Sequence, residues 1–146
     1  MSYEIIIIIG LLIGIFFFKT TQPKFLKAIL IGLIVTSTLI FIENKILINI
    51  SFYGFGILTL LFTIYSGLKS KWLNLTIGFF AFASFVFSAM NFPYANELKL
   101  LMIIPILCYI LTFIKLKRYK NAMSISTILA AYELTEFLEM TTKWLN

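Results

Sequence analysis

Five stretches of this chain are too long and too apolar to be at rest in water: Tyr3 to Phe18, about Ala28 to Ile42, Ile46 to Leu68, Trp72 to Phe92 and Leu98 to Ile114. A helix needs about 17–25 apolar residues to cross a bilayer. The last three runs meet that length, and the first two reach it by recruiting Phe25, Leu26 and interfacial residues. Composition agrees: 61% of the residues are hydrophobic and 12% charged, with a mean hydropathy of +1.02. A soluble domain is about 45–50% apolar and a quarter charged, and a globule of this size has too little interior to hide the excess. Alternation at period two is absent, which argues against a membrane β-barrel. The expected fold class is an all-α integral membrane protein with five transmembrane helices.

The short connections carry the charge, and they carry it unevenly. Lys19, Lys24, Lys27, Lys69, Lys71, Lys115, Lys117, Arg118 and Lys120 fall on one set of loops, and only Lys45 and Lys99 on the other. Basic loops stay in the cytoplasm, so the reading puts the N-terminus outside and the C-terminus inside. The first run has Glu4 and no preceding Lys or Arg, which argues against a signal peptide. A bias toward Ile, Lys, Phe and Asn fits an AT-rich bacterial genome, and with it a bacterial inner membrane.

Residues 121–146 are read apart from the spans. A sixth crossing would carry Glu133, Glu136 and Glu139, at a cost on the order of 8–10 kcal/mol against about 3–6 recovered from the apolar residues. As an amphipathic helix the segment places Ala130, Leu134, Phe137, Leu138, Thr141, Trp144 and Leu145 on one face. Glu133, Glu136, Glu139 and Lys143 then fall on the other. Membrane-surface helices show Lys and Arg on their polar face, and this one shows Glu. The apolar face, with Leu134, Phe137, Leu138 and Trp144 as contact residues, is therefore assigned to protein, in this chain or a second copy. The expected organisation is a five-helix bundle over residues 1–116 and a basic juxtamembrane segment with an acidic cytoplasmic helix over residues 117–146. The basic cluster at 115–120 reads as a headgroup anchor rather than a nucleic-acid contact.

Within the spans, small polar residues recur at helical spacing: Asn49, Tyr53, Gly56, Thr59, Thr63 and Ser66 in the third, Asn74, Gly78, Ala81, Ser84, Ser88 and Asn91 in the fourth. Such stripes serve as packing seams or line an uncharged water path, and both readings stand at this point. Gly10 and Gly14 form a GxxxG packing motif, within the bundle or between copies. Pro105 is a candidate kink or hinge. Glu43 could stand in an outer acidic ring of an oligomer, although an interfacial pair with Lys45 is the plainer reading.

The chain has no His and no Asp, a single Cys108 and a single Arg118. That inventory removes His-based metal or haem sites, the usual catalytic triads and internal disulfides. No enzyme, cofactor or metal is expected. No expected span holds a central ionisable residue, which argues against pumps and ion-coupled carriers. The sequence resembles no family. Two functions remain as expectations: a homo-oligomeric channel or pore-type effector, gated or assembled through a signal or protein partner at the C-terminal helix, or a non-catalytic accessory or scaffold subunit of a larger membrane complex.

Overall fold

A computed structural model describes residues 3–146, which form eight α-helices and two short 3-10 turns, with no strand among them. The helices are α1 (Glu4–Phe16), α2 (Lys24–Leu39), α3 (Lys45–Leu68), α4 (Trp72–Ala89), α5 (Ala95–Leu100), α6 (Ile103–Ile114), α7 (Leu116–Tyr119) and α8 (Met123–Leu145). Three stretches are long and apolar enough to cross a membrane: α3, α4 and the α5–α6 stretch Ala95–Ile114. Large apolar side chains such as Leu12, Phe16, Ile57, Phe79, Leu107 and Ile114 cover the outside. The interior holds Leu30, Leu33, Phe62, Ile77 and Leu129. An apolar exterior around an apolar core is what a bilayer solvent selects. Together these features describe a multi-pass membrane protein.

Local chemistry sets the helix ends. Asn44 caps α3, its side-chain oxygen accepting from the amides of Ile46 at 2.9 Å and Leu47 at 3.4 Å. Both α3 and α4 end in the same way. Ser70 (φ 52°) and Asn91 (φ 49°) take the left-handed conformation. Lys71 N then donates to Ser66 O at 2.8 Å, and Phe92 N to Phe87 O at 3.0 Å. These are Schellman closures, which use up carbonyls that the last turn leaves free.

The α5–α6 break falls at Leu101–Met102, one turn before Pro105. Pro105 sits buried in the first turn of α6, where the missing amide removes no helical bond. Leu101 O, which the proline deprives of its usual donor, accepts instead from Ile104 N at 3.0 Å. The expected kink is thus an interruption between two helices.

The largest departure from expectation is α8. It is the central helix of the bundle, packed along α1 and against α6, α4, α5 and α2, and residues 122–130 are buried without a gap. Gly14 meets Ile128, Gly10 meets Ala131, and the Tyr3 and Thr142 hydroxyls share a hydrogen bond of 2.6 Å. The two helices therefore run antiparallel over the whole length of α1, and the two ends of the described chain lie together instead of at opposite ends.

The amphipathic assignment fails in detail as well. Glu133, placed on the outer face, is 0% exposed, while Trp144 and Leu145, placed on the contact face, are 70% and 88% exposed. Leu134, Phe137 and Leu138 are half-buried. The insertion arithmetic charged every Glu as though it met lipid. In the fold Glu136 pairs with Lys99 at 2.7 Å, Glu139 pairs with Lys143 at 2.7 Å, and Glu133 faces protein. A separate cytoplasmic module at 117–146 does not describe this arrangement.

Candidate functional site

α8 carries an unusual proportion of small and hydroxylated residues for a buried helix. Each of its hydroxyls is either tied back to the helix or bonded to a neighbour. Thr127 Oγ1 donates to Met123 O at 2.8 Å and also meets the Tyr109 hydroxyl of α6 at 2.8 Å. Thr135 returns to Ala131 O at 2.9 Å. Ser124 meets Thr21, between α1 and α2, at 2.6 Å. Ser126 Oγ donates to Asn74 Oδ1 of α4 at 3.1 Å. The Tyr132 hydroxyl lies 3.4 Å from Ser84 Oγ of α4, and its ring packs on Phe55 of α3 at 4.8 Å between centroids. These ties hold the rotation of α8 firmly.

Glu133 is the exception. Neither carboxyl oxygen has a hydrogen-bond partner among the described residues. Ser126, Glu133 and Glu136 are spaced by seven and three, so they share one face of the helix. Ser126 reaches α4 through Asn74 and Glu136 reaches α5 through Lys99, which sets Glu133 between those anchors, on the seam of α4 with α5–α6. Cys108 of α6 and Tyr132 lie within its electrostatic reach. Beside it, Tyr132 helps to line a cavity of about 230 Å³ whose wall includes Ile7, Ser37, Ser51, Phe52 and Phe85. A carboxylate buried this way costs several kcal/mol unless a counter-charge or hydrogen bonds satisfy it. A proton or a cation on Glu133 lowers that cost, and this is the chemistry the site can offer.

The residues singled out in the sequence are distributed around this centre. Asn74 and Ser84 join it through Ser126 and Tyr132. Thr59 and Thr63 are turned to their own helix, donating to Gly56 O at 2.8 Å and Thr59 O at 2.7 Å, and a Cβ on Gly78 would stand 2.6 Å from Thr63 Oγ1. Their stripe is the α3–α4 contact. Ser88, Asn49 and Glu43 are exposed. Ser66 is buried at the other end of α3. Gly10 and Gly14 face α8.

Sequence reasoning missed Glu133 as a site residue. The signal available was the run Ser124, Ser126, Thr127, Ala130, Ala131, whose small side chains suit a membrane packing face better than a solvated helix. Among the described residues no three His, Cys, Asp or Glu converge to hold a metal ion. No protein family, characterised protein or solved structure was found to match the chain.

Proposed function

We propose that this chain is a six-crossing membrane protein acting as a non-enzymatic conduit for a proton or small cation, with Glu133 as the group that receives the ion. The single observation behind this reading is the fully buried, unpartnered carboxyl on the central helix. Ionisable groups at membrane depth are expensive and mark ion pathways. The five spans read from the sequence hold no central ionisable residue, and α8, counted as a sixth, supplies one in Glu133. The channel expected from the α3 and α4 stripes becomes a path along α8, because those stripes are occupied by helix packing. A bacterial inner membrane remains the setting proposed from composition.

Lengths support six crossings. At the usual rise, α1 with its 3-10 extension spans about 28 Å, α2 about 24 Å and α8 about 34 Å, against a hydrocarbon core of about 30 Å. Nine basic residues lie in or beside the connections at one end, where Gln22 N donates to Asn121 O at 3.3 Å and Lys71 reaches Arg118. By the positive-inside rule that end is cytoplasmic, and both ends of the described chain then lie outside. In a Cys108→Ala background, single cysteines at Glu43 and Asn146 are expected to react with an impermeant maleimide from one side, and a cysteine at Lys117 from the other. Labelling of position 146 together with position 117 would remove α8 from the membrane.

The function itself is tested in proteoliposomes with an imposed proton or potassium gradient. Wild-type protein is expected to dissipate one of them, and Glu133→Gln to slow that flux at least about tenfold, the scale of a lost charged interaction of about 1.4 kcal/mol or more. Equal flux in both proteins, or none in the wild type, sinks the proposal. A second reading, an accessory subunit of a larger membrane complex, draws on the full use of the α3–α4 stripe in packing. It gains if the wild type conducts nothing and is purified in fixed ratio with another membrane protein.

A further inference from the structure

The basic end of the bundle contains a built pocket that the ion-conduit reading does not use. The α3–α4 turn is tied to the α6–α8 connection by two reciprocal bonds: Lys71 Nζ donates to Arg118 O at 2.7 Å, and Arg118 Nη2 donates to Ser70 O at 2.8 Å. Both cations lie over the ring of buried Tyr119, at 5.7 and 5.9 Å from its centroid. Between this clasp and the start of α2 opens a cavity of about 240 Å³, lined among others by Gln22, Ser66, Lys69, Lys71, Arg118 and Asn121.

Three features give that cavity a ligand chemistry. Among the described residues its cations have no counter-ion: Lys71 and Arg118 bond to carbonyls and the Tyr119 ring, no ion pair involves Lys69, and no carboxylate lines the cavity. Its wall holds a donor without an acceptor, since Ser66 is 1% exposed and its Oγ has no hydrogen-bond partner. Buried hydroxyls are nearly always satisfied, so an orphan beside three cations calls for an acceptor-rich anion. The volume is below the roughly 300–1,000 Å³ of sites that enclose drug-sized ligands, which suits a single phosphate group better than a nucleotide. Arg118 keeps most of its planar set of donors for such a group, and the lysines add point charge.

We infer that this pocket binds a phosphate group, carried by an anionic lipid headgroup or present as the free ion. The site is independent of Glu133 and stands or falls without it. The test is thermal unfolding of the full chain, because a ligand that binds only the folded state raises its melting temperature with concentration. One arm adds inorganic phosphate to protein in neutral detergent at constant ionic strength, with chloride as the reference. The other compares nanodiscs of phosphatidylcholine with and without phosphatidic acid.

A rise in the first arm supports binding of the free ion, and a rise confined to the second supports the headgroup. In the arm that responds, Lys69→Gln and Ser66→Ala are each expected to weaken the apparent affinity about fivefold or more, the scale of one charge-assisted bond, while melting like the wild type without ligand. The Lys69 side chain makes no hydrogen bond or ion pair among the described residues, its backbone bond to Tyr65 O is kept in the variant, and Ser66→Ala removes only the orphan hydroxyl, so neither variant endangers the fold. No rise in either arm, or variants that respond like the wild type, would overturn the assignment.

Discussion

Gly10→Leu is expected to unseat the central helix and abolish the cooperative melting of the bundle. A Cβ built on Gly10 falls 2.4 Å from the Cβ of Ala131 and 3.6 Å from Thr127 O. Ala131 has no rotamer with which to withdraw, so α1 and α8 must separate along their shared seam. Overpacking by a methyl group or two ordinarily costs about 1–3 kcal/mol. The gain in helix propensity from Gly to Ala returns only about 1 kcal/mol. Gly10→Ala should therefore lower the melting temperature by several degrees, at about 4 °C per kcal/mol for a chain of this size. Leucine adds three more carbons to the same clash and reaches the scale of total stability, about 5–15 kcal/mol. Thermal unfolding in detergent, followed by circular dichroism and by proteolysis of α8, checks this. Gly67→Ala is the control, since its Cβ meets only the mobile Cδ1 of Leu75 at 2.9 Å and should shift stability by less than about 0.5 kcal/mol. If Gly10→Leu melts like the wild type, the α1–α8 seam is not where the structure has it.

Glu133→Met is expected to move stability in the opposite direction. Methionine matches the length of the glutamate and brings no oxygen that needs a donor. An unsatisfied buried polar group costs about 1–3 kcal/mol, so its removal should raise the melting temperature by about 4–12 °C. The same variant should be inactive in the flux assay. A residue whose replacement stabilises the fold and silences it is retained for function. Glu136→Met supplies the contrast. Its carboxylate bonds the ammonium of Lys99 at 2.7 Å, with both side chains largely buried. Losing it strands a charge, and the melting temperature should fall. A Glu133→Met protein that melts at or below the wild type would mean that the carboxyl has a partner and is structural.

The helical class, the apolar exterior and the positions of the loops were legible because each depends on local length and polarity. α3 and α4 show this: the runs Ile46 to Leu68 and Trp72 to Phe92 became Lys45–Leu68 and Trp72–Ala89. The role of Gly10 was half legible, since GxxxG announces a close approach without naming what approaches. The α3 and α4 stripes were legible as small-residue faces but not as a seam or a path, because that depends on which helix lies opposite. The small-residue run before Glu133 hinted at a buried helix, but the direction in which Glu133 faces was not legible. Its rotation toward the α4–α6 seam depends on Ser126 meeting Asn74 and Glu136 meeting Lys99, partners 52 and 37 positions away in the chain.

By itself, the sequence determined that this chain belongs in a bilayer and which loops share the basic end, because hydropathy and charge act through the solvent and need no partner. Only the tertiary structure decided where α8 goes. The cost of its three glutamates in lipid is large when each is counted alone. Lys143 answers Glu139 from the same helix, Lys99 answers Glu136 only once α5 and α8 meet, and Glu133 keeps its cost. Burial of a charge is a property of the pair and its surroundings, which become definite only when distant helices meet.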